Sequence, residues 1–430
     1  MNREIILACF GINIDDVLTY HEHFNDEDKT LHLFLKFKKS TFCCPYCGSI
    51  TIYSKGFYEI CLNASTIHNI RCRAHMKIRR YCCQDCHKTF KEKSNYYSNY
   101  STILNSVKTS IIEDLKKKLS YTAIAEEYNV SLPEIIKIFD EIPDIPRGFL
   151  TPVICVDEFH FSKDVNKEPR YPFVISNPYT SEIIDIVEYR KKEVLSYYFQ
   201  QIPLFERKSV RYFISDMNKT FREIYRDYFP NAIHIIDHFH IIKTFNDAIH
   251  NARRKLLNDY KEEKSSPLYI SLKKNWKLFL MPKNRLFKLL KDDGSGITYD
   301  LYSVIQETFR YFNELGEIYY AREEFTYEMV KMRSYEETEY FFEYFIQKTE
   351  QSTSKSLQNL SKTFRNWKKE ILNAYSKNET GFYLTNAVAE ANNNNIQTYI
   401  NISYGLTNFQ RMRKRVLYMN INSSKKKRGY

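Results

Sequence analysis

From Val153 onward, apolar residues come in short unbroken runs, each closed by an acid. "VICVDEF" runs into Asp157 and Glu158, "VRYFISD" into Asp216 and "NAIHIID" into Asp237. Apolar runs this short, bounded by polar residues, predict strands buried on both faces. Between the first two, "YPFVISN" (171–177) and "SEIIDIVEY" (181–189) predict two more strands joined by the turn "PYTS". Helices are predicted over Glu193–Gln201 and through "NKTFREIYRDYF". Three antiparallel strands followed by helix, strand, helix, strand describe a mixed α/β sheet with carboxylates along one edge. Beyond Phe239 the pattern turns helical to about Lys377, punctuated only by "KSSP", "MPKN" and "DDGSG". That stretch is expected to be a helical insertion that does not extend the sheet. "LTNAVAEANNNNIQTYI" then predicts a helix capped by Thr385, with Glu390 in its second turn.

Ahead of the sheet, Ile103, Leu104, Val107, Ile111, Leu115 and Leu119 recur at helical spacing and predict a helix over Thr102–Leu119. "SYTAIAEEYNVSLPEIIKIFDEI" follows and reads as a helix over Thr122–Tyr128, a turn at Asn129–Val130, and a helix from Leu132 to Glu141. Ser131 would cap the second of these, and Pro133 sits in the first turn, where its missing N–H is harmless. Ala123, Ile124, Ile135, Ile136 and Phe139 are the expected small core. A pair of this kind commonly lays its second helix in the DNA major groove, with Glu134 and Lys137 toward bases or backbone. A plain helical connector would share the same periodicity. The three prolines of "EIPDIPRGFLTP" mark a domain boundary near 149.

Ten cysteines change the picture at the front, because eight of them lie between 43 and 86. "CCPYCGS" supplies Cys44-x2-Cys47, and "RRYCCQDCHKTF" supplies Cys83-x2-Cys86. Two such knuckles can close four thiolates around Zn2+ at a structural site with no open position. Gly48 stands where the first turn favours positive φ. Cys43 and Cys82 offer an alternative C-x3-C register, Cys61 and Cys72 stand near, and reduced core cysteines are the plainer explanation. Between the knuckles there is room for two or three strands. Arg71, Arg73, Lys77, Arg79 and Arg80 crowd there and could touch phosphates.

Composition adds limits. Lys and Arg outnumber Asp and Glu by 64 to 52, which suits a polyanionic partner, though an AT-rich coding bias gives the same excess. No run of about 18 apolar residues predicts a membrane span. "MNREIILACFGINIDD" meets acids too early for a signal peptide, so a cytoplasmic protein with reduced thiols is expected.

The acids pose the chemical question. Two carboxylates ~4 Å apart repel by about 4 kcal/mol at an effective dielectric of about 20. Mg2+ (or Mn2+) relieves that repulsion through oxygen ligands. Two such ions ~3.5–4 Å apart can serve both the attacking and the leaving oxygen of a phosphodiester. Neighbours on a strand face opposite ways, so one of Asp157 and Glu158 is expected to turn away.

"VDEFHFSK", "ISDMNKTFREIYRDYFPNAIHIIDHFHIIKTFNDAIHNARRK" and "TNAVAEANNNNIQTYINISYGLTNF", preceded by the two knuckles and the helix pair, resemble transposases of the ISL-three insertion-sequence family. The likeness runs along nearly the whole chain and is weakest in the helical insertion. It implies a ribonuclease-H-like catalytic core with an Asp-Asp-Glu triad at Asp157, Asp216 and Glu390, binding two Mg2+ ions. Glu158 becomes the neighbour that turns away, held by a basic side chain, and "DHFH" gives Asp237 and His240 supporting roles.

The sequence departs from the family where Lys and Arg are usual. Gln397, Ile400 and Asn401 remove three basic positions, for which "FQRMRKRVLY" and "KKKRG" could compensate. The expected domains are a zinc-binding module (1–95), a helix-turn-helix (96–148), the first part of the core (149–240), the insertion (241–380) and the last part of the core with a basic tail (381–430). The expected partner is double-stranded DNA, element ends and target, bound by a homodimer. A nuclease that does not join ends, or a DNA-binding regulator without catalysis, would share most of these features.

Overall fold

The computed structural model describes residues 3–67, 70–161, 170–292, 298–332, 334–375, 387–403 and 408–427; the side chains of 65, 292, 387–390 and 421–427 lie outside the described set. The chain forms two compact units, 1–146 with 395–430, and 147–394.

The first unit opens with helix α1 (Arg3–Cys9) and strands β1 (Val17–Asn25) and β2 (Thr30–Phe37). Long strands β3 (Ile52–Ile67) and β4 (Ile70–Cys83) and short β5 (Thr89–Lys91) complete a sheet of order β1-β2-β4-β3, with β5 against the end of β4. Alternation is clear on β4, where Cys72, Ala74, Met76 and Ile78 are buried and Arg71, Arg73 and Lys77 face out.

Helices α2 (Asn105–Asp114), α3 (Tyr121–Glu127) and α4 (Leu132–Glu141) follow. The predicted helix over Thr102–Leu119 is shorter than its periodicity. Ser101–Leu104 is drawn onto the sheet instead, where Asn63 accepts from the Leu104 N–H and donates to the Thr102 carbonyl. Ser120 and Ser131 cap α3 and α4 by accepting from the Ala123 and Glu134 N–H groups, and Asn129 makes the turn at φ 50°. The helix pair's core is Ile124, Ala125, Ile135, Ile138 and Phe139; Ala123 and Ile136, expected inside, are only half-buried.

The second unit is built on strands β6 (Val153–Glu158), β7 (Phe173–Ser176), β8 (Ile183–Val187), β9 (Tyr212–Ser215) and β10 (Ile233–Ile236), in the order β10-β9-β6-β7-β8. β6, β7 and β8 are antiparallel, whereas β9 and β10 run parallel to β6. Helices α5 (Lys192–Gln200), α6 (Leu204–Ser209) and α7 (Lys219–Tyr228) connect them; α5 and α7 follow the sequence pattern, whereas the short α6 adds to it. Alternate residues of β6 enter separate cores: Ile154 and Val156 pack with α5 and α7, Val153 and Cys155 with the helices that follow. Being covered on both faces is what makes these strands read as apolar runs.

Those later elements are α8 (His238–Asp259), α9 (Pro267–Lys274), α10 (Lys283–Leu286), hairpin β11 (Leu290–Asp292) and β12 (Thr298–Asp300), then α11 (Leu301–Tyr311), α12 (Asn313–Lys331), α13 (Tyr335–Glu350), α14 (Lys355–Asn366) and α15 (Lys368–Tyr375). None joins the central sheet. A polar clasp ties this bundle to the sheet's helices: Arg222 on α7 bonds Glu370 at 2.8 Å and stacks 3.5 Å over Trp367.

Helices α16 (Ala387–Ile402) and α17 (Phe409–Lys427) end the chain. Residues 395–430 group with the first unit rather than with the sheet they were expected to complete. The reason lies on α17. Arg411 forms a two-pronged bond to Asp140, Arg413 donates to the Ile145 carbonyl, and Lys414 donates to the carbonyls of Phe139 and Ile142 at the end of α4. Arg415 is fully buried and bonds the carbonyls of Lys117 and Leu119. The basic run expected to grip DNA is spent on holding the helix pair. Thr385 and the "KKKRG" side chains lie outside the described residues.

Candidate active site and zinc centre

Parallel pairing of β6 and β9 sets Cys155 opposite Ile214; two residues further, the same register puts Asp157 beside Asp216. Ile236 lies opposite Ser215, and Asp237 continues that ladder by donating its N–H to the Ser215 carbonyl at 3.0 Å. Asp157, Asp216 and Asp237 therefore stand at one level, at or just past the ends of three adjacent parallel strands spaced about 4.8 Å apart. Asp157 and Asp237 are buried, Asp216 half-buried.

Asp157 accepts from the Glu158 N–H through Oδ1 and from Asn393 Nδ2 through Oδ2, both at 2.8 Å. Asn393 also donates to the Glu158 carbonyl at 3.2 Å. Burial pushes the Asp157 carboxyl up, partly offset by the Glu158 N–H. Asp216 is pushed up to about 6, by burial first and then by the charges of Glu158 and Asp157, against relief from His240 and Arg190. On α8, His240 Nδ1 lies 3.4 Å from Asp237 Oδ2. Burial lowers this imidazole's pKa, but the Asp237 bond and the charges of Asp216, Asp237 and Asp157 outweigh it and raise it.

Glu158 is held by Arg190, as expected of the neighbour that turns away. It does not leave the site, however, since its charge acts on Asp216 more strongly than that of Asp157 does. Strand alternation loses its hold at a strand's last residue. Asp216 Oδ1, Glu158 Oε2 and Asn393 Oδ1 are buried and accept no hydrogen bond from any described residue. Buried oxygens without donors, among carboxylates with raised pKa values, fit a hard divalent cation. Asn393 and Arg190 were missed in the sequence. The asparagine run after Glu390 hid which of its members matters, and Arg190 sits in an unremarkable basic loop. Glu390 itself lies in α16, and its side chain is outside the described residues.

At the front, Cys44, Cys47, Cys83 and Cys86 offer sulfurs that all lie within 4.8 Å of one another. Among the described residues no other set of three or more Cys, His, Asp or Glu comes this close, and the aspartate cluster is more widely spread. Cys44–Cys86 and Cys47–Cys83 are each 3.6 Å apart. A tetrahedron with Zn–S bonds of about 2.3 Å has edges of about 3.8 Å, so these four could hold zinc. Gly48 (φ 74°) and His87 (φ 57°) make equivalent left-handed turns after the two knuckles. The Cys86 N–H, then the Asp85 N–H, draw the Cys83 thiol down to about 7. Cys43, Cys61, Cys72 and Cys82 stay outside this group of four.

Of the expected DNA contacts, Arg80 and Lys137 are exposed and Glu134 is half-buried. Arg79 is partly engaged, 4.0 Å from Glu92 and stacked 5.4 Å from the Phe57 ring centre. No helix among the described residues is long and apolar enough to cross a membrane.

A mixed α/β sheet with aspartates at one edge, following a four-cysteine module, defines a class of metal-dependent candidates. The sequence profile of the ISL-three family, described as Transposase, matches residues 154–416, more than half of the chain. The chain belongs to this transposase family. No curated protein matches it.

Proposed function

We propose that this chain is a DNA transposase that binds the ends of an insertion sequence, cleaves them and joins the freed 3′-hydroxyls to target DNA. The observation carrying the chemistry is the shared level of Asp157 and Asp216 on adjacent parallel strands, where buried oxygens of Asp216 and the neighbouring Glu158 lack donors. The sheet order, with its first three strands antiparallel and the last two parallel to the first, supports a ribonuclease-H-like core. Asn393, bonded to Asp157, brings α16 to this edge, and helical spacing sets position 390 one turn earlier on the same face. On this reading Glu390, one turn before Asn393 in α16, supplies the third carboxylate of the triad.

Asp157, Asp216 and Glu390 would hold Mg2+ or Mn2+, which supply charge neutralisation and polarisation of the reacting phosphodiester. Asn393 fixes the rotamer of Asp157, and Arg190 offsets the charge of Glu158 beside the site. Asp237 orients His240, which stands beside the carboxylates. The cysteine tetrad would hold one structural Zn2+. Arg80 and Lys137 would contact DNA phosphates, Glu134 would face the bases, and Arg79 would join them after releasing Glu92. Phosphate contacts give affinity and base contacts give specificity. Two ends must meet, so a homodimer on DNA is expected.

The test supplies purified protein, Mg2+ and pre-nicked element ends. Joined products support the reading, and cleavage without joining reassigns the chain to a nuclease. Asp216→Asn should abolish both steps and leave end binding within about twofold. Persistent cleavage by that variant would overturn the site assignment.

A further inference from the structure

A groove of ≈ 860 Å3 lies beside the cysteine knuckles, between β3, β5 and the segment "KSNYYSNYS" (93–101). Its walls carry Tyr46, Tyr58, Phe90, Tyr97 and Tyr100. These rings are available to a ligand: Tyr46 is 58% exposed, Tyr58 42% and Tyr100 fully exposed. Tyr100 is held there at φ 62°, a left-handed backbone that a bulky residue adopts at a cost in strain. Lys88 sits 4.9 Å over the Tyr46 ring, and Lys91 sits 4.0 Å over Tyr58. Behind the rings, Tyr81 stacks on Phe90, and Tyr46 meets Phe90 edge-on, so the aromatic wall is braced from within.

The one acid in the lining, Glu92, is buried and already satisfied. It accepts from the Ser40 N–H at 2.7 Å, the Ser40 hydroxyl at 3.1 Å and the Thr41 N–H at 3.1 Å. The charge presented to a ligand is therefore the positive charge of Lys91 and Lys93. Asn95, Asn99 and Ser98 add amide and hydroxyl groups at the rim.

Exposed aromatic faces interleaved with lysines and side-chain amides form the surface on which unpaired nucleotides stack. A duplex closes its base faces to such rings, and an acidic peptide would leave them unused. We propose that this groove holds unpaired nucleotides of a DNA strand, with bases stacked on Tyr46, Tyr58 and Tyr100 and phosphates met by Lys91 and Lys93. The inference rests on the proposal that the front of the chain meets DNA. It adds that one strand is taken apart from its complement there.

The full-length protein is titrated into fluorescein-labelled DNA and followed by anisotropy, using a 20-nucleotide thymidine strand, an abasic strand of equal length, and a 20-base-pair duplex. The thymidine strand, with three bases stacked, should bind about a thousandfold tighter than the abasic one, and Tyr58→Ala or Tyr100→Ala should each remove about tenfold of that affinity. Tyr58→Phe, which keeps the ring, should bind as the unaltered protein does. Zinc content and circular dichroism check that the variants fold; Tyr100, wholly exposed, is the position least able to disturb folding. Equal affinity for thymidine and abasic strands, or unchanged binding by Tyr100→Ala, overturns the groove assignment while leaving duplex binding intact. Loss of binding to all three DNAs by the unaltered protein overturns the broader DNA reading instead.

Discussion

Replacing Cys86 by serine removes one corner of the tetrad and tests the front of the molecule most sharply. The four sulfurs span no more than 4.8 Å, and the two facing pairs at 3.6 Å match the edge of a zinc tetrahedron. A closed four-thiolate site binds with an apparent free energy of about 10–16 kcal/mol at neutral pH, as large as the whole stability of a typical domain at about 5–15 kcal/mol. The knuckles join the end of β4 to β5 and the start of β3, so losing the ion should loosen that end of the sheet. Metal analysis should give one zinc per chain for the natural sequence and well below one for Cys86→Ser. Cys43→Ser and Cys82→Ser should each keep one zinc. The pH dependence has a defined sign: the Cys47 thiol is pushed up to about 12, where burial and bonds from neighbouring thiols prevail over the Ser49 N–H, and Cys86 is also raised. Both must release a proton on binding, so affinity should fall at least about a hundredfold per unit as pH drops below 7. Cobalt substitution followed by absorbance reads both effects. Full zinc in Cys86→Ser, or its loss in Cys43→Ser, would refute the assigned register.

Other consequences follow from single contacts. Arg415→Met should destabilise the first unit by about 2–4 kcal/mol in urea unfolding, since it strips the Lys117 and Leu119 carbonyls of their charged donor. Arg222→Ala should cost the second unit about 1–3 kcal/mol through the lost Glu370 bond and Trp367 stacking, read as a lowered Tm. His234 is buried against Ser215, and burial, then the Arg222 charge, lower its pKa to about 3. The unfolded imidazole takes a proton below about 6.5 and the folded one does not, so stability is present above that pH and is lost as pH falls toward 3. His234→Phe should flatten that slope in stability measured against pH.

Much of the architecture can be read in the chain because burial on both faces writes strands as apolar runs. All five strands of the second unit, their alternation with α5 and α7, and the cap at Ser131 follow from local pattern and local hydrogen bonds. What is not legible depends on distant partners. The helix over 102–119 shortens because Asn63, far along the chain, captures its first residues. Arg411, Lys414 and Arg415 look like a DNA-binding run, since a sequence does not show which carbonyls and carboxylates lie across from them. At the candidate site, the three strand-end aspartates are visible as residues, whereas their common level comes from ladder register. Asn393 is chosen from a run of four asparagines only by the helix face it occupies.

The central claim is that carboxylates from positions 157, 216 and 390 jointly grip divalent cations. Crystals of the protein bound to DNA and soaked in Mn2+ would test it through anomalous scattering. The account predicts peaks within coordination distance, about 2.0–2.3 Å, of carboxylate oxygens of Asp157, Asp216 and Glu390. Peaks elsewhere, or Glu390 far from both aspartates with DNA in place, would contradict it.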